Sequence, residues 1–376
     1  MKAADFIQLF LSRVSPEAIL HAEGGYTALL GGASGIVFAM SELFEAGLVK
    51  RDQVELWLGA LADYQKHPLA VHFPDFKPTK LANGHMSGPL STTFAHAYAG
   101  VALGNADVAR TSTRQFVEGA RALLVDSEPK LRELWGGTAG LIVVTDVLAE
   151  KLGKLPTGSA DAEIQSLKAL RDDCSADLLE VMKIPFADRG NNALGLAYLG
   201  MAHGFAGEIY GALLASDSPS DFLIARLDEL AALATREDNL IAWPTHIGGE
   251  IPPPLWSSYC NGAPGMLELW ATAYEKTQRK EYLELARLAA ETTFGLLTPV
   301  ASLCCGVAGQ GVALVRYGER CDDPKAVDRG KRRIRRTFEL GCPEPGLMKG
   351  DAGLALIALA VMQRKPLRIP LVNAPL

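Results

Sequence analysis

Two kinds of helix-length hydrophobic pattern alternate along the chain. One kind is apolar on nearly all sides, as in LIVVTDVLAEKL after residue 140 and LALIALAVM after residue 353. The other kind is apolar on one side only, as in SDFLIARLDELAALATR and RKEYLELARLAAETTFGLL. A helix that is apolar all round is buried, whereas a one-sided helix keeps a solvated face. The alternation therefore predicts an inner layer of buried helices surrounded by an outer, solvated layer.

A Gly-x-x-Gly motif precedes the buried patterns from one end of the chain to the other. Full copies begin at Gly32, Gly137, Gly204, Gly262, Gly306 and Gly350, and we interpret Ala97-Tyr-Ala-Gly100 as a degenerate copy. The copies lie roughly 40 to 70 residues apart, which suits a helical-hairpin repeat. Glycines at this spacing allow close helix packing and a positive φ at the helix entry. Seven repeats predict an all-α fold, an α/α toroid of seven inner and seven outer helices, built as a single domain over residues 1–376.

Other segments lack the helical pattern. No strand-like alternation of useful length is present, and residues 66–89 and 245–258 are rich in Pro, Gly and His, which predicts long loops. The tail PLRIPLVNAPL has too many prolines for a helix, so we expect it to pack back in extended form.

Composition excludes several functional classes. The net charge is −6, whereas a nucleic-acid partner favours a strongly basic protein. The N-terminus lacks a small-residue cleavage site, and no apolar run approaches the ~20 residues that span a bilayer. We therefore expect a cytoplasmic protein with no membrane span. Six cysteines in 376 residues do not make a disulfide framework, so clustered cysteines are better candidates for metal ligands or nucleophiles.

The glycine motif provides a frame in which equivalent positions can be compared. The residues directly before the seven copies are Gly31, His96, Gly136, His203, Asn261, Cys305 and Lys349. Two positions before the first glycine, the fifth and sixth copies carry Cys260 and Cys304. Most residues of ligand or acid–base type at helix starts share this frame, which predicts that they meet at one end of the toroid.

The three cysteines of this frame suit a metal site. Each precedes a helix N-terminus, where the helix dipole lowers the pKa of a thiol, and thiolates bind zinc. Three protein ligands leave a fourth position open, as in catalytic zinc sites. Neither a C-x-x-C pair nor an H-E-x-x-H motif is present, so spacing alone leaves buried cysteines or a metal-free redox site equally open.

Four strings carry a family resemblance. AHGFAG, YCNGAPG, LCCGVAGQG and GLMKGDAG, which begin at residues 202, 259, 303 and 346, resemble in sequence and order the signature motifs of the lanthionine synthetase C-like family. The resemblance implies an α/α toroid with zinc held by Cys260, Cys304 and Cys305, the last standing where the family usually has His. It also implies addition of a peptide Cys thiol to dehydroalanine or dehydrobutyrine in a dehydrated precursor peptide, with His203 as the catalytic acid and Glu133 orienting it. A dehydratase is a further partner that the resemblance suggests.

Two departures from the family pattern affect this reading. Glu133 stands where the family usually has Asp, which keeps the carboxylate but lengthens it by one methylene. No arginine lies four residues before Cys260, where Trp256 stands, so the family's anion-stabilising residue has no obvious counterpart.

Several residues have a structural interpretation beside a functional one. His96 and His246 suit a buried or loop-packing role better than a site role, and Lys349 and Asp351 are expected at the rim. Cys174, Cys321 and Cys342 lie outside the frame and are expected to serve packing. The basic run from Arg329 to Arg336 is either a solvated helix face or a receiver for an acidic leader segment of a peptide substrate.

Three rival functions compete with the cyclase. A LanC-like protein that binds zinc and glutathione without cyclising peptides would share the same motifs. A toroid glycosidase or isoprenoid enzyme is disfavoured, because a glycosidase needs paired carboxylates and only Glu133 and Asp351 lie near the glycine frame. A non-catalytic scaffold would have no need of three thiols at one end of the fold.

Overall fold

The computed structural model describes residues 1–16, 27–29, 31–66, 88–126, 130–189, 196–249, 257–342, 344–370 and 372–374. Seven inner helices occur in this part of the chain: α2 (Ala33–Glu45), α4 (Pro89–Ala102), α6 (Thr138–Leu152), α9 (Phe205–Ala215), α11 (Ala263–Thr277), α13 (Val307–Arg320) and α15 (Asp351–Gln363). Seven others lie outside them: α1 (Ala3–Arg13), α3 (Arg51–Gln65), α5 (Ala106–Asp126), α7 (Asp161–Val181), α10 (Asp221–Ala232), α12 (Lys280–Gly295) and α14 (Pro324–Leu340). The short helix α8 (Phe186–Arg189) precedes α9.

The helices form a closed ring. Each inner helix from α2 to α13 packs against the outer helix that follows it in the chain. Among the described residues no helix follows the last inner helix, α15, which packs instead against α1 and also against α2. The predicted toroid of seven inner and seven outer helices is therefore confirmed, with the N-terminal helix as the seventh outer member.

Burial follows the two hydrophobic patterns. In α9, all residues from Phe205 to Leu213 are buried, whereas α10 buries only four of its twelve residues. The segments that are apolar on all sides thus occupy the interior. Burying them removes apolar surface from water on every side of the helix, which stabilises the fold.

The degenerate glycine motif was placed wrongly. Helix α4 begins at Pro89 with Gly88 as its N-cap, so the segment 97–100 lies in its last turns. The true second copy starts at Gly88 and has Ser91 in place of the second glycine, and Pro89 occupies the first helical position, where a missing N–H is tolerated. His96 consequently lies within a helix, with Nδ1 2.9 Å from the Thr92 carbonyl, and does not share the frame of His203.

The expected positive φ at the helix entries is also wrong. The first glycine of each full motif is a helix N-cap with φ between −136° and −110°. The second glycine is required for another reason, namely close approach of the preceding loop. A Cβ would collide with the carbonyl oxygen six residues earlier at five of these positions, Gly35, Gly207, Gly265, Gly309 and Gly353. These glycines therefore let each entry loop fold tightly over its own helix.

Short strands complete the described fold. The antiparallel pair β1 (Thr235–Glu237) and β2 (Leu240–Ala242) follows α10, and the pair β3 (Leu367–Ile369) and β4 (Val372–Ala374) forms the tail. The tail packs against α13 and α15, as its proline content predicted for an extended segment. Most of the two predicted long loops, residues 67–87 and 250–256, lies outside the described residues. None of the described helices is long and apolar enough to cross a membrane.

Candidate metal centre

The entry loops of five inner helices are linked by backbone hydrogen bonds. The donors and acceptors are Trp135 N to Ala202 O (3.3 Å), Ala202 N to Cys260 O (2.9 Å), Tyr259 N to Cys304 O (2.8 Å) and Cys304 N to Met348 O (2.8 Å). Each bond joins one loop to the next loop around the ring, from α6 to α15. The loops that carry the site residues are thus fixed relative to one another by the backbone.

This linkage brings the three frame cysteines together. The sulfur atoms of Cys260, Cys304 and Cys305 all lie within 4.8 Å of one another. The Sγ–Sγ distance is 3.9 Å between Cys260 and Cys305 and 3.0 Å between Cys304 and Cys305. Tetrahedral zinc with Zn–S bonds of about 2.3 Å requires sulfur atoms about 3.8 Å apart, so the Cys260–Cys305 pair already has the required spacing and the Cys304–Cys305 pair has to open. Cys260 and Cys304 are buried, and Cys305 is partly exposed.

The pKa values of the three thiols differ. The pKa of Cys260 lies well below that of an ordinary thiol, because the thiols of Cys304 and Cys305 donate hydrogen bonds to its sulfur. The same contacts raise the pKa of Cys304, and hydrogen bonding to Cys260 raises that of Cys305 to about 12. These contacts therefore favour the thiolate form of Cys260, which is the form that a soft metal ion binds.

A repeated serine supports the cysteine loops. Ser258 and Ser302 are buried and precede Cys260 and Cys304 by two positions. The hydroxyl of Ser302 accepts a hydrogen bond from the Cys305 N–H at 3.4 Å, and that of Ser258 accepts one from the Asn261 N–H at 3.3 Å. These two serines were not among the predicted site residues, although the repeated Ser-x-Cys spacing is visible in SYCNG and SLCCG.

His203 pairs with Glu133 beside the cysteines. His203 Nδ1 lies 3.0 Å from Glu133 Oε2, and the imidazole packs edge-on against Trp135 with ring centroids 5.4 Å apart. The backbone N–H groups of Trp135 and Gly136 donate to the two carboxylate oxygens of Glu133, at 2.9 and 2.6 Å. The carboxylate is 4% exposed, so these bonds fix its orientation and, through it, that of the imidazole.

The environment of His203 favours its protonated form. Burial acts to lower the pKa of the imidazole, but the negative charge of Glu133 and the hydrogen bond to it outweigh this effect and raise the pKa. The Cys260 thiolate acts in the same direction. A protonated imidazole with 26% of its side chain exposed can deliver a proton to a molecule bound over the cysteines.

Lys349 places a positive charge at the rim. It follows Met348, whose carbonyl binds the Cys304 N–H, and its side chain is exposed. Its charge lowers the pKa of both His203 and Cys305, so its field reaches both groups. Trp256, at the position of the expected arginine, lies outside the described residues.

The remaining candidates have structural surroundings. His246 forms a backbone bridge with Tyr198, and their rings lie 6.3 Å apart, as its loop-packing interpretation predicted. Asp351 is buried, accepts a hydrogen bond from the Cys342 N–H at 2.9 Å, and lies 3.6 Å from Arg13. Because this carboxylate faces the α14–α15 connection, it does not form a catalytic pair with Glu133.

The cysteines outside the frame are separate from the cluster. Cys174 is buried in α7, where burial raises its pKa to about 12. Cys342 donates from its sulfur to the Lys349 carbonyl at 2.8 Å, and Cys321 caps the far end of α13.

Comparison with known proteins places this geometry in context. The model of the family described as lanthionine synthetase C-like protein matches residues 27–373. Among solved structures, the chain is similar to nisin cyclase, with a TM-score of 0.61 and 13% sequence identity, over 98% of this chain and 94% of that one. No curated protein sequence matches the chain. At 13% identity the likeness to nisin cyclase shows the fold alone.

Proposed function

The chain belongs to the lanthionine synthetase C-like family, and from that premise we propose that it is a zinc-dependent lanthionine cyclase. Its substrate is a dehydrated precursor peptide, and the products are thioether rings formed by adding Cys thiols to dehydroalanine or dehydrobutyrine. The observation that supports this most directly is the position of a His–carboxylate pair beside three convergent thiols on one linked set of loops.

The donor set fits zinc. Three sulfur ligands from Cys260, Cys304 and Cys305 are typical of a tetrahedral zinc site with one position left for an exogenous ligand. Zinc bound there supplies Lewis acidity that lowers the pKa of a substrate thiol. The partial exposure of Cys305 leaves an approach from solvent to this side of the cluster.

The protein's own residues supply the proton chemistry. The new bond joins the substrate sulfur to the β-carbon of the dehydroamino acid, and the double bond's electron pair moves onto the α-carbon and its carbonyl. The α-carbon then needs a proton, and His203 in its protonated form is the donor on the site. The proton that the substrate thiol loses on becoming a thiolate passes to solvent, and His203 regains a proton from solvent after it has protonated the α-carbon, so the reaction is a net addition of S–H across the double bond.

Glu133 and Lys349 have supporting roles in this scheme. Glu133 holds the imidazole in one orientation and favours its charged state. Lys349 offers positive charge at the rim, where negative charge develops on the substrate carbonyl during the addition.

The test is a cyclisation assay with a synthetic peptide containing one Cys and one dehydroalanine. We expect the zinc-loaded protein to consume the alkylatable thiol without a change in peptide mass, and His203→Asn to slow this about 10²-fold or more while retaining zinc. A parent protein that leaves the thiol free would contradict the proposal. Formation of a glutathione adduct instead of a ring, with glutathione added, would favour the non-cyclising LanC-like function.

A further inference from the structure

One outer helix differs in charge from all the others. Helix α14 carries seven basic and two acidic residues. Helices α3, α7, α10 and α12 each carry more acidic than basic residues, and α5 carries equal numbers. In a chain whose net charge is −6, this concentration of positive charge on one helix needs a physical explanation.

Two of the seven basic residues serve the fold. Arg329 lies 2.7 Å from Glu291 of α12, and its guanidinium lies 4.2 Å from the centre of the Phe294 ring. Arg333 donates to the carbonyls of Phe294 and Leu296, at 2.6 and 3.1 Å, and so satisfies the C-terminal end of α12. These contacts account for Arg329 and Arg333 without any ligand.

The other five point into solvent. Lys325, Lys331, Arg332, Arg335 and Arg336 are all exposed. At 100° per residue they occupy about 140° of the helix circumference, opposite the buried stripe that contains Ile334 and Phe338. Arg336 has an acidic partner, Glu339, at 3.8 Å, and the other four have no salt bridge among the described residues. We call these five side chains the α14 basic face.

The α14 basic face leads towards the metal centre. Helix α13 begins directly after Cys304 and Cys305, at Val307, and runs to the opposite end of the toroid. Helix α14 packs along it in the return direction. After α14 ends at Leu340, the chain needs only eight residues to reach Met348, whose carbonyl binds the Cys304 N–H. The cluster Lys331 to Arg336 therefore lies on the half of α14 nearer the thiols.

We propose that the α14 basic face docks an acidic segment of the peptide substrate while another part of the same peptide reacts at the thiols. This inference rests on the proposed cyclase function. Charge complementarity supports this occupant, since the other outer helices are neutral or acidic and would not attract an acidic peptide. The face is about 16 Å long from Lys325 to Arg336, so an extended peptide of about five residues covers it, with Glu or Asp at several positions.

Direct binding tests the surface without requiring catalysis. The probe is a fluorescein-labelled ten-residue polyglutamate, followed by anisotropy at low and moderate salt. The variant replaces Lys331, Arg332, Arg335 and Arg336 by Gln, which keeps helix propensity. The matched control replaces four exposed lysines beside or on other outer helices, Lys50, Lys168, Lys183 and Lys280, and has the same net charge.

We expect the α14 variant to bind polyglutamate about tenfold more weakly than the parent, and the control to change less than about twofold. Added salt should weaken binding to the parent much more than to the α14 variant. Equal weakening in both variants, or no binding by the parent, would overturn the proposal. The proposal would also be overturned if duplex DNA, single-stranded RNA or phosphatidylserine vesicles bound through these four residues while polyglutamate did not bind.

A second measurement separates this inference from the proposed function. Two dehydroalanine peptides that share a reactive core, one with five added glutamates and one with five glutamines, are cyclised by the parent and by both variants. We expect the glutamate peptide to have a lower KM with the parent and control only, with kcat unchanged. Equal KM values overturn the docking proposal but leave the cyclase intact. Failure of both peptides to cyclise, with polyglutamate still bound at α14, contradicts the cyclase alone.

Discussion

The two ends of the toroid differ in how their polar side chains are paired and exposed. At the end where the inner helices start, three thiols and the His203–Glu133 pair converge, with Cys305 and the imidazole partly exposed. At the other end, the buried Lys151 of α6 lies between Glu42 and Glu45 of α2, at 2.8 and 2.6 Å. Tyr98 of α4 donates to Glu42, and the Lys151 ammonium lies 4.0 Å from the centre of the Tyr98 ring.

The difference shows which polar groups hold the ring together and which are available to a ligand. In the far-end cluster, the charges of Glu42, Glu45 and Lys151 are paired with one another, so the cluster joins three inner helices. At the near end, backbone hydrogen bonds between loops do the joining, which leaves sulfur and imidazole atoms for chemistry. Substitutions at the two ends should therefore have separable effects, on metal content and activity at one and on stability at the other.

The sharpest test uses two cysteines at opposite ends of the same helix. Cys304 and Cys305 lie at the start of α13 and Cys321 caps its end. Cys304→Ala should reduce zinc from about one ion per chain to nearly none, because two thiols do not replace three for a tetrahedral site. Zinc per chain is measured by elemental analysis after dialysis, and Cys321→Ala is the matched control. Equal zinc in the two variants would contradict the assignment.

The far end should yield the largest loss of stability. Lys151→Met leaves Glu42 and Glu45 without their shared cation, at a cost of about 2–3 kcal/mol, below the range for fully buried pairs because both carboxylates are partly exposed. Urea unfolding monitored by circular dichroism measures this, and zinc content should remain that of the parent. Lys183→Met, which removes an exposed pair with Glu180, is the control and should change stability by less than about 1 kcal/mol.

The stability lost in Lys151→Met should also depend on pH. Burial acts to raise the pKa of Glu45, but hydrogen bonds and charge from Lys151 and Lys154 lower it below the ordinary value. A carboxyl group with a lowered pKa stabilises the fold above its unfolded pKa of about 4.3 and loses that contribution as the pH falls through the lower folded pKa. The stability difference between the parent and Lys151→Met should therefore be constant near neutrality and shrink below about pH 4.3. A difference that stays constant into acid would show that the ion pair is not its source.

At the near end, Glu133→Gln should act through the histidine. Loss of the carboxylate removes the main influence that raises the pKa of His203, so burial should then lower it. We expect about tenfold slower cyclisation at neutral pH with zinc retained, and the rate limb that needs protonated His203 should move to lower pH. NMR titration of the histidines follows the pKa of His203 directly. Glu133→Asp, which keeps the carboxylate, should restore most of the raised pKa. An unchanged pKa with a slower rate would assign Glu133 a purely structural role.

Sequence patterns predicted the ring better than its details, for physical reasons. Helices that are apolar on all sides can only be interior, so the layers and the frame that joins Cys260 to Cys304 and Cys305 followed from the chain alone. The second repeat was predicted wrongly because Ala97–Gly100 resembles the motif in composition, whereas the helix starts at the proline after Gly88. The far-end cluster was not predictable, because Glu42 and Lys151 are 109 residues apart and meet only when the ring closes.

The smallest effect concerns the identity of the third ligand. Cys305 is the most exposed of the three thiols and stands where the family usually has His, so Cys305→His should keep a legitimate zinc site. A third thiolate makes the metal a weaker Lewis acid but leaves more negative charge on the substrate sulfur, which favours attack on the β-carbon. We therefore expect Cys305→His to cyclise a few-fold more slowly than the parent at equal zinc occupancy. Cobalt substitution reports the change of ligand by its optical spectrum, which confirms that a His-containing site has formed before rates are compared. A faster Cys305→His enzyme would mean that Lewis acidity limits the reaction, and that the third thiolate serves metal retention rather than nucleophilicity.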